Sequence, residues 1–303
     1  MRKVLSFLLG LLVASCTFGQ QAHERSAYIV NTVTTSASGT TAVTGSVYIA
    51  GVPWAMNVAM GNVSGYSVVH KFGEAPDIDT ADAFADVWDG AGDTIGAANS
   101  TYTFSTTNDI DSIASSDGSD GQVVEVQGLD SGWVLTVQNA TLNGQTRVAL
   151  GTPLRRVFRM KNLGATDFAG NVYCYVTNGP TSSGVPDVAT DIRAVVQSTN
   201  NQTLMAIYTI PDGKTGYFLK WWATNSQKKD QISDILVKVR PEGGVFQLKE
   251  KAAIQATGSS HIDRPYPIPL GGIAEHSDVK IQSDTSKDNG ATAAGFDILL
   301  VDD

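Results

Sequence analysis

The sequence has few of the residues and none of the motifs that carry most enzyme chemistry. Its four histidines are not spaced as metal ligands are in HExxH. It contains no GxSxG nucleophile motif, and no cysteine and histidine pair suggests a nucleophile. Gly213-Lys214-Thr215 lacks the earlier glycine of a phosphate-binding loop, because Tyr208 stands there, so it predicts a hairpin turn. We therefore predict no enzymatic activity and no cofactor.

Cysteine is equally scarce, with only Cys16 and Cys174 in 303 residues. Cys174 stands between Tyr173 and Tyr175, a setting typical of a small buried hydrophobic residue. The alternative is an intermolecular disulfide. The sequence therefore predicts no internal disulfide framework.

The sequence has few charged residues, and acidic residues outnumber basic ones. Charged residues make up 17% of the chain, and the net charge is −9. Such an acidic surface repels nucleic acid and anionic membranes, so neither is a predicted partner. The abundance of Thr, Ser, Val and Gly favours strands over helices, and hence an all-β fold.

The apolar run at the N-terminus, Val4 to Val13, is too short to span a bilayer and follows Arg2 and Lys3. This pattern predicts a signal peptide over residues 1–19 and export to the medium or the cell surface. The run ending in Cys16 matches a lipobox, which would leave a diacylated cysteine and a membrane anchor. Small residues before Gln20 form an ordinary cleavage site equally well, and both alternatives stay open.

An acidic segment follows the first clear strand pattern. Tyr66 to Phe72 alternates as a half-buried strand does, and Gly73 and Pro76 predict its end. We predict that the loop after it contacts a neighbouring subunit through Glu74, Asp77, Asp79, Asp82, Asp86 and Trp88. Asp77 with Asp79, and Asp117 with Asp120, have ligand chemistry for calcium. Neither run completes an EF-hand pattern, so solvated loops are favoured and no metal site is predicted.

Four runs of the sequence carry a family resemblance: HKFGEAPDIDTADAFADVWDG, TYTFSTTNDIDSIASS, TLNGQTRVALGTPLRRVFR and NQTLMAIYTIPDGKTGYFLKWWA. They resemble virion structural proteins of tailed bacteriophages, many of them marine, of the head-decoration, fibre or tail-associated type. The resemblance extends over about four-fifths of the chain, in the same order. It implies a structural component, with a phage capsid as one possible partner and the virion as its location if a phage encodes it.

Short strand patterns separated by turn residues predict two β-sandwich, jelly-roll-like domains, at 66–200 and 201–303. We predict that residues 20–65 form a β arm, which either lies at the edge of the main sheet or adds strands to the sheet of a neighbouring subunit. Asn143-Gly144 predicts a β-hairpin over LTVQNATLNGQTRVAL. Pro267 and Pro269 indicate an edge strand or a crossover.

Two further clusters are candidate contact sites. The basic strip of Arg155, Arg156 and Arg159 is either a solvated edge strand or a docking strip for a neighbour's acidic segment. Trp221 and Trp222 suggest a platform for sugar rings. Because adjacent residues of a strand point to opposite faces, one of the two indoles belongs to the core.

The sequence as a whole predicts a secreted, non-enzymatic protein that self-assembles into a tube, filament, ring or array with a phage virion-like fold. The alternatives are a phage head-decoration or fibre protein proper, and a β-sandwich module that binds cell-surface glycans. A hydrolase with two carboxylates is the least favoured, because no pair shows catalytic spacing.

Overall fold

The computed structural model describes residues 53–80, 84–90, 101–179, 181–225, 231–256 and 260–303, together with the backbone of two short N-terminal strands. The chain forms two compact units, residues 1–57 and residues 58–303. The predicted signal peptide, Cys16 and Asp82 lie outside the described residues.

Strands dominate the described residues. In chain order they are β1 (Val33–Thr35), β2 (Thr41–Val43), β3 (Tyr66–Ile78), β4 (Ala85–Asp86), β5 (Ile110–Ser115), β6 (Val123–Leu129), β7 (Leu135–Thr141), β8 (Val148–Leu154), β9 (Arg156–Asn162), β10 (Val172–Val176), β11 (Thr181–Ser182), β12 (Val185–Pro186), β13 (Ile192–Val196), β14 (Ile207–Thr209), β15 (Lys214–Asn225), β16 (Gln231–Arg240), β17 (Gln247–Ala256), β18 (Ser260–Ile273), β19 (Asp278–Thr285) and β20 (Gly290–Asp302). The helices are α1 (Trp54–Ala59) and a 3-10 turn (Ala189–Asp191). Neither of these is long and apolar enough to cross a membrane.

The first sandwich is built from a four-stranded sheet, in the order β13-β10-β5-β8, and a three-stranded sheet, β7-β6-β9. Strand β6 shows why the sequence folds this way. Val124 and Val126 are buried in the core, whereas Glu125 and Gln127 between them are partly exposed. A period of two places one face of the strand on the core. The all-β prediction is confirmed.

The second sandwich consists of two sheets. One has the strand order β14-β19-β16-β17, and β4 also pairs with its β19; the other has the order β18-β15-β20-β3. Its core contains Phe218, Trp221, Ile235 and Phe296. The rings of Phe218 and Phe296 meet edge to face with centroids 5.9 Å apart, an arrangement that aromatic pairs prefer.

The predicted end of the first strand is wrong. Strand β3 runs on through Gly73 and Pro76 to Ile78 and pairs with β20 along its length. A Cβ atom on Gly73 would lie 2.5 Å from the carbonyl oxygen of Val87 and 2.4 Å from the backbone nitrogen of Ala206. Glycine is needed there because two other backbone segments approach the strand, and not because the strand stops.

Pairing of β3 with β20 joins residues from both sides of the predicted domain boundary at 200–201. Tyr66 lies opposite Val301, and Glu74 lies opposite Ala293. Residues 58–303 belong to one compact unit. Independent folding of residues 201–303 stays a prediction. In the N-terminal unit, β1 and β2 pair antiparallel, and the role of residues 20–65 as an arm also stays a prediction.

The predicted hairpin around Asn143-Gly144 is wrong, although the turn exists. Gly144 has a φ of 55°, and the N–H of Thr146 donates to the carbonyl of Asn143. Strand β7 before the turn pairs with β6, whereas β8 after it pairs with β5 in the other sheet. The backbone of Gly144 bonds instead to Asp120 and Ser115, which turns the chain from one layer to the next.

Candidate functional site

The C-terminal end of the acidic segment is part of the core. Asp86 and Trp88 are 0% and 1% exposed, so the prediction that they contact a neighbouring subunit is wrong. Glu74, Asp77 and Asp79 are partly exposed. Their role in an interface stays a prediction.

Burial of the acidic segment is compensated by groups that are distant in sequence. Lys280 lies beside Asp86, with Nζ 2.8 Å from Oδ1, and the N–H of Tyr102 donates to Oδ2 at 2.7 Å. Burial raises the pKa of Asp86 even though Lys280 acts to lower it. The ring of Trp88 packs edge-on against that of Tyr102, with centroids 5.1 Å apart.

The three arginines of the basic strip differ in their exposure to solvent. Arg156 is buried, and its Nε donates to Asp278 Oδ1 at 2.8 Å. The prediction that it is a surface docking residue is therefore wrong. Arg155 and Arg159 are partly exposed, and Arg159 donates to the carbonyl of His70 at 3.1 Å. Docking of these two arginines on a neighbour's acidic segment stays a prediction.

Asp278 is the centre of an ionic network that the sequence did not indicate. Its carboxylate accepts from Arg156 and from Arg240, whose Nη2 is 2.5 Å from Oδ2. Thr209 Oγ1 donates to Oδ1 at 2.6 Å. Asp278 is 122 residues from Arg156 and 38 from Arg240, so no local pattern joins them.

The two tryptophans of β15 point to opposite faces, as predicted. Trp221 is fully buried in the second core, so its prediction as a ligand platform is wrong. Trp222 lies on the outer face of the sheet beside Lys220, Thr224, His261 and Asp263, around an open groove of about 360 Å³.

The outer face of this sheet carries two aromatic residues in one row across four strands. Asp263 on β18 lies opposite Trp222 on β15, Trp222 lies opposite Gly295 on β20, and Gly295 lies opposite Phe72 on β3. A Cβ atom on Gly295 would come within 2.8 Å of the Trp222 ring. The glycine therefore lets the indole lie against the sheet between the strands.

Strand β18 is an edge strand, which is one of the two alternatives that Pro267 and Pro269 indicated. Its pairing with β15 shifts register around Leu219, and Ile268 there is 85% exposed. A small cleft of about 200 Å³ lies next to it and includes Leu270, two residues after Ile268, in its lining. It is lined by Phe218, Val239, Leu270 and Ile273, among others. An exposed apolar side chain and an apolar cleft thus lie side by side on the surface.

One group of side chains has the composition of a cation site. Asp212, Glu275 and His276 bring ligand atoms within 4.8 Å of one another. Hydrogen bonds explain the grouping: His276 Nε2 is 3.1 Å from Asp212, His276 Nδ1 is 2.8 Å from Glu242, and Glu275 accepts from the N–H of Gly213 at 2.8 Å. Both ring nitrogens thus lie within hydrogen-bond distance of a carboxylate, and these contacts account for the position of the imidazole ring.

No protein family model matches the chain, and no curated protein matches it significantly. Similar solved structures include the crystal structure of the infectious bursal disease virus VP2 subviral particle. It shares 11% identity, with 83% of this chain and 78% of that chain covered, and a TM-score of 0.23.

The structure of the Gx strain of the same virus shares 10% identity, with 82% of this chain and 76% of that chain covered, and a TM-score of 0.20. TM-scores this low do not establish a shared fold. Membership of the tailed-phage family stays a prediction.

Proposed function

We propose that the chain is a non-enzymatic structural protein that is exported and self-assembles through its exposed sheet edges. The observation that supports this best is Ile268, an apolar side chain that projects from β18 beside an apolar cleft. A copy that inserts Ile268 into its neighbour's cleft forms a repeating contact, and such contacts build rings or open filaments. A head-decoration or fibre role in a phage is the variant in which the partner is a capsid.

Side chains and not the backbone make this contact. Pro265, Pro267 and Pro269 remove three N–H donors from the edge of β18, so a neighbouring strand cannot extend the ladder there. Burial of an exposed isoleucine contributes about 1.5–3 kcal/mol for each copy. Because the contact repeats along an assembly, this modest free energy per copy is sufficient to hold the assembly together.

The test is the oligomeric state of the chain from Gln20 onward, measured by light scattering and negative-stain microscopy. We expect regular assemblies from the natural chain and smaller species from Ile268→Asp. Val188→Asp is the matched control, because Val188 is also an exposed apolar residue and the substitution adds the same charge. A monomer at every concentration, or equal assembly of all three proteins, would refute the proposal.

A second function, glycan binding, is favoured by the groove at Trp222. An aromatic face with Asp263, His261 and Thr224 around it combines a stacking surface with polar groups for hydroxyls. Phe72 in the same row extends the apolar surface across the sheet. We propose that this face binds a neutral surface polysaccharide if self-association fails its test.

Affinity electrophoresis in gels that contain soluble polysaccharides tests this second function. Trp222→Ala is expected to abolish the retardation of the natural chain, because the stacking face is lost. Trp54→Ala is the control, since Trp54 is also a partly exposed tryptophan. Retardation that is absent, or unchanged by Trp222→Ala, would contradict glycan binding at this face.

A further inference from the structure

A cavity of about 390 Å³ lies where the end of β16 and the start of β19 meet the start of β9. Its walls combine charged groups with aromatic rings: Phe104, Ser105, Thr106, Trp133, Arg155, Arg156, Arg240, Glu242, His276 and Asp278, among others. A volume of this size suits a small organic molecule. The cavity is distinct from both surfaces considered above.

Positive charge exceeds negative charge on the walls. Three guanidinium groups face two carboxylates, in a protein whose net charge is −9. Asp278 is shared between Arg156 and Arg240. Arg155 has no carboxylate partner among the described residues; its Nη2 donates to the carbonyl of Thr106 at 2.7 Å.

Donor groups are also left over. Within the described part of the chain, Nη1 of Arg155 and Nη1 of Arg240 make no hydrogen bond. A guanidinium presents five N–H donors in a fixed fork that matches the two oxygens of a carboxylate. The cavity therefore offers unused donors of the kind that recognise a planar anion.

The aromatic wall is held in place by its local structure. Trp133 and His276 stack with ring centroids 4.6 Å apart and planes 11° apart, and both have a left-handed backbone, with φ of 61° and 60°. The side chain of Asp130 accepts from the N–H groups of Gly132 and Val134, which sets the turn that contains Trp133. Bulky residues held at positive φ are concentrated at ligand sites.

Arg155 covers this wall, with its guanidinium carbon 4.4 Å from the centre of the Trp133 ring. Stacking on an indole holds the planar guanidinium in one orientation. The Arg155 guanidinium, which carries the unmatched charge, is thus held in position before a ligand binds. This lowers the entropy cost of binding.

We propose that this cavity binds one carboxylate group of a small organic molecule, with Arg155 and Arg240 as the groups that contact it. The single unmatched positive charge suits a monoanion, because a dianionic phosphate would leave the site negatively charged. Phe104 supplies an apolar wall for the body of the ligand. This function is independent of self-assembly and of glycan binding.

Isothermal titration of the chain from Gln20 onward at low ionic strength tests the site with benzoate and benzamide as a matched pair. The two probes share their shape and differ in charge. We expect saturable binding of benzoate, at least about tenfold weaker binding of benzamide, and weak binding of sulfate. Equal binding of benzoate and benzamide, or no benzoate binding, overturns the proposal without any variant.

Three arginine variants locate the site. Arg155→Gln and Arg240→Gln are each expected to weaken benzoate binding at least about tenfold, because each removes a charged donor. Arg159→Gln is the control, since Arg159 belongs to the same basic strip but does not line the cavity. Circular dichroism confirms the fold of each variant. Folded Arg155 and Arg240 variants with unchanged affinity, or an equal loss in Arg159→Gln, would place benzoate elsewhere.

Discussion

Lys280 Nζ lies 2.8 Å from Asp86 Oδ1 in the interior of the protein, where both side chains are buried. The pair joins β4 to β19 across 194 residues of sequence. It fixes the acidic segment against the second sandwich. The end of a stretch that looks like a charged surface loop in the sequence is thereby part of the core.

Removal of the lysine tests how much this pair contributes. Lys280→Met leaves Asp86 buried without its counter-charge, and we expect a loss of about 3–5 kcal/mol in the free energy of unfolding. Urea denaturation at neutral pH measures it. The double variant Asp86→Asn, Lys280→Met removes both charges and is expected to recover part of the loss. Equal destabilisation of the single and double variants would show that the stranded carboxylate is not the cause.

Asp89 should make stability depend on pH. Burial raises the pKa of this carboxyl to about 8; the nearby Glu74 adds to the rise, and the N–H of Leu204 opposes it. The folded state thus keeps a proton that the unfolded chain releases near pH 3.9, so rising pH favours unfolding between about pH 4 and pH 8.

Asp89→Asn cannot ionise, and its amide oxygen can still accept from Leu204. We expect the natural chain to lose at least about 1.4 kcal/mol more than this variant between about pH 5 and pH 8, the equivalent of one pKa unit. Parallel urea titrations at several pH values measure the difference. Identical pH profiles would contradict the raised pKa.

Gly73 should not tolerate a side chain. A Cβ atom there would meet the backbone of Val87 and Ala206 at 2.5 Å or less, so Gly73→Ala must displace one of these segments. We expect destabilisation of about 1–3 kcal/mol or more, measured by thermal unfolding. Gly121→Ala is the control, because nothing lies within 4 Å of its added Cβ. Similar melting temperatures for the two variants would argue against the close approach.

Cys174 should be chemically inert in the folded protein. It is fully buried, and burial raises the pKa of its thiol to about 12. Since the thiolate is the reactive form, we expect no reaction with Ellman's reagent in the native state and complete reaction in urea. Rapid labelling of the native chain, or a covalent dimer on a non-reducing gel, would show that the thiol is accessible.

Several features follow from local sequence. The alternation around Val124 and Val126 predicts a strand with one buried face, and the prolines of β18 predict a sheet edge. Trp221 and Trp222 were expected on opposite faces, and Cys174 was expected to be buried. These predictions succeed because strand periodicity and missing N–H donors act within a few residues.

By itself, therefore, the sequence determined the all-β class, the faces of its strands and one protected edge. Only the tertiary structure decided that Asp86, Trp88 and Arg156 are buried, that Gly73 lies within a strand, and that Arg155 and His276 line one cavity. The physical reason is that burial of a charge depends on a partner that offsets its desolvation. Those partners, Lys280 and Asp278 here, lie more than a hundred residues away in sequence.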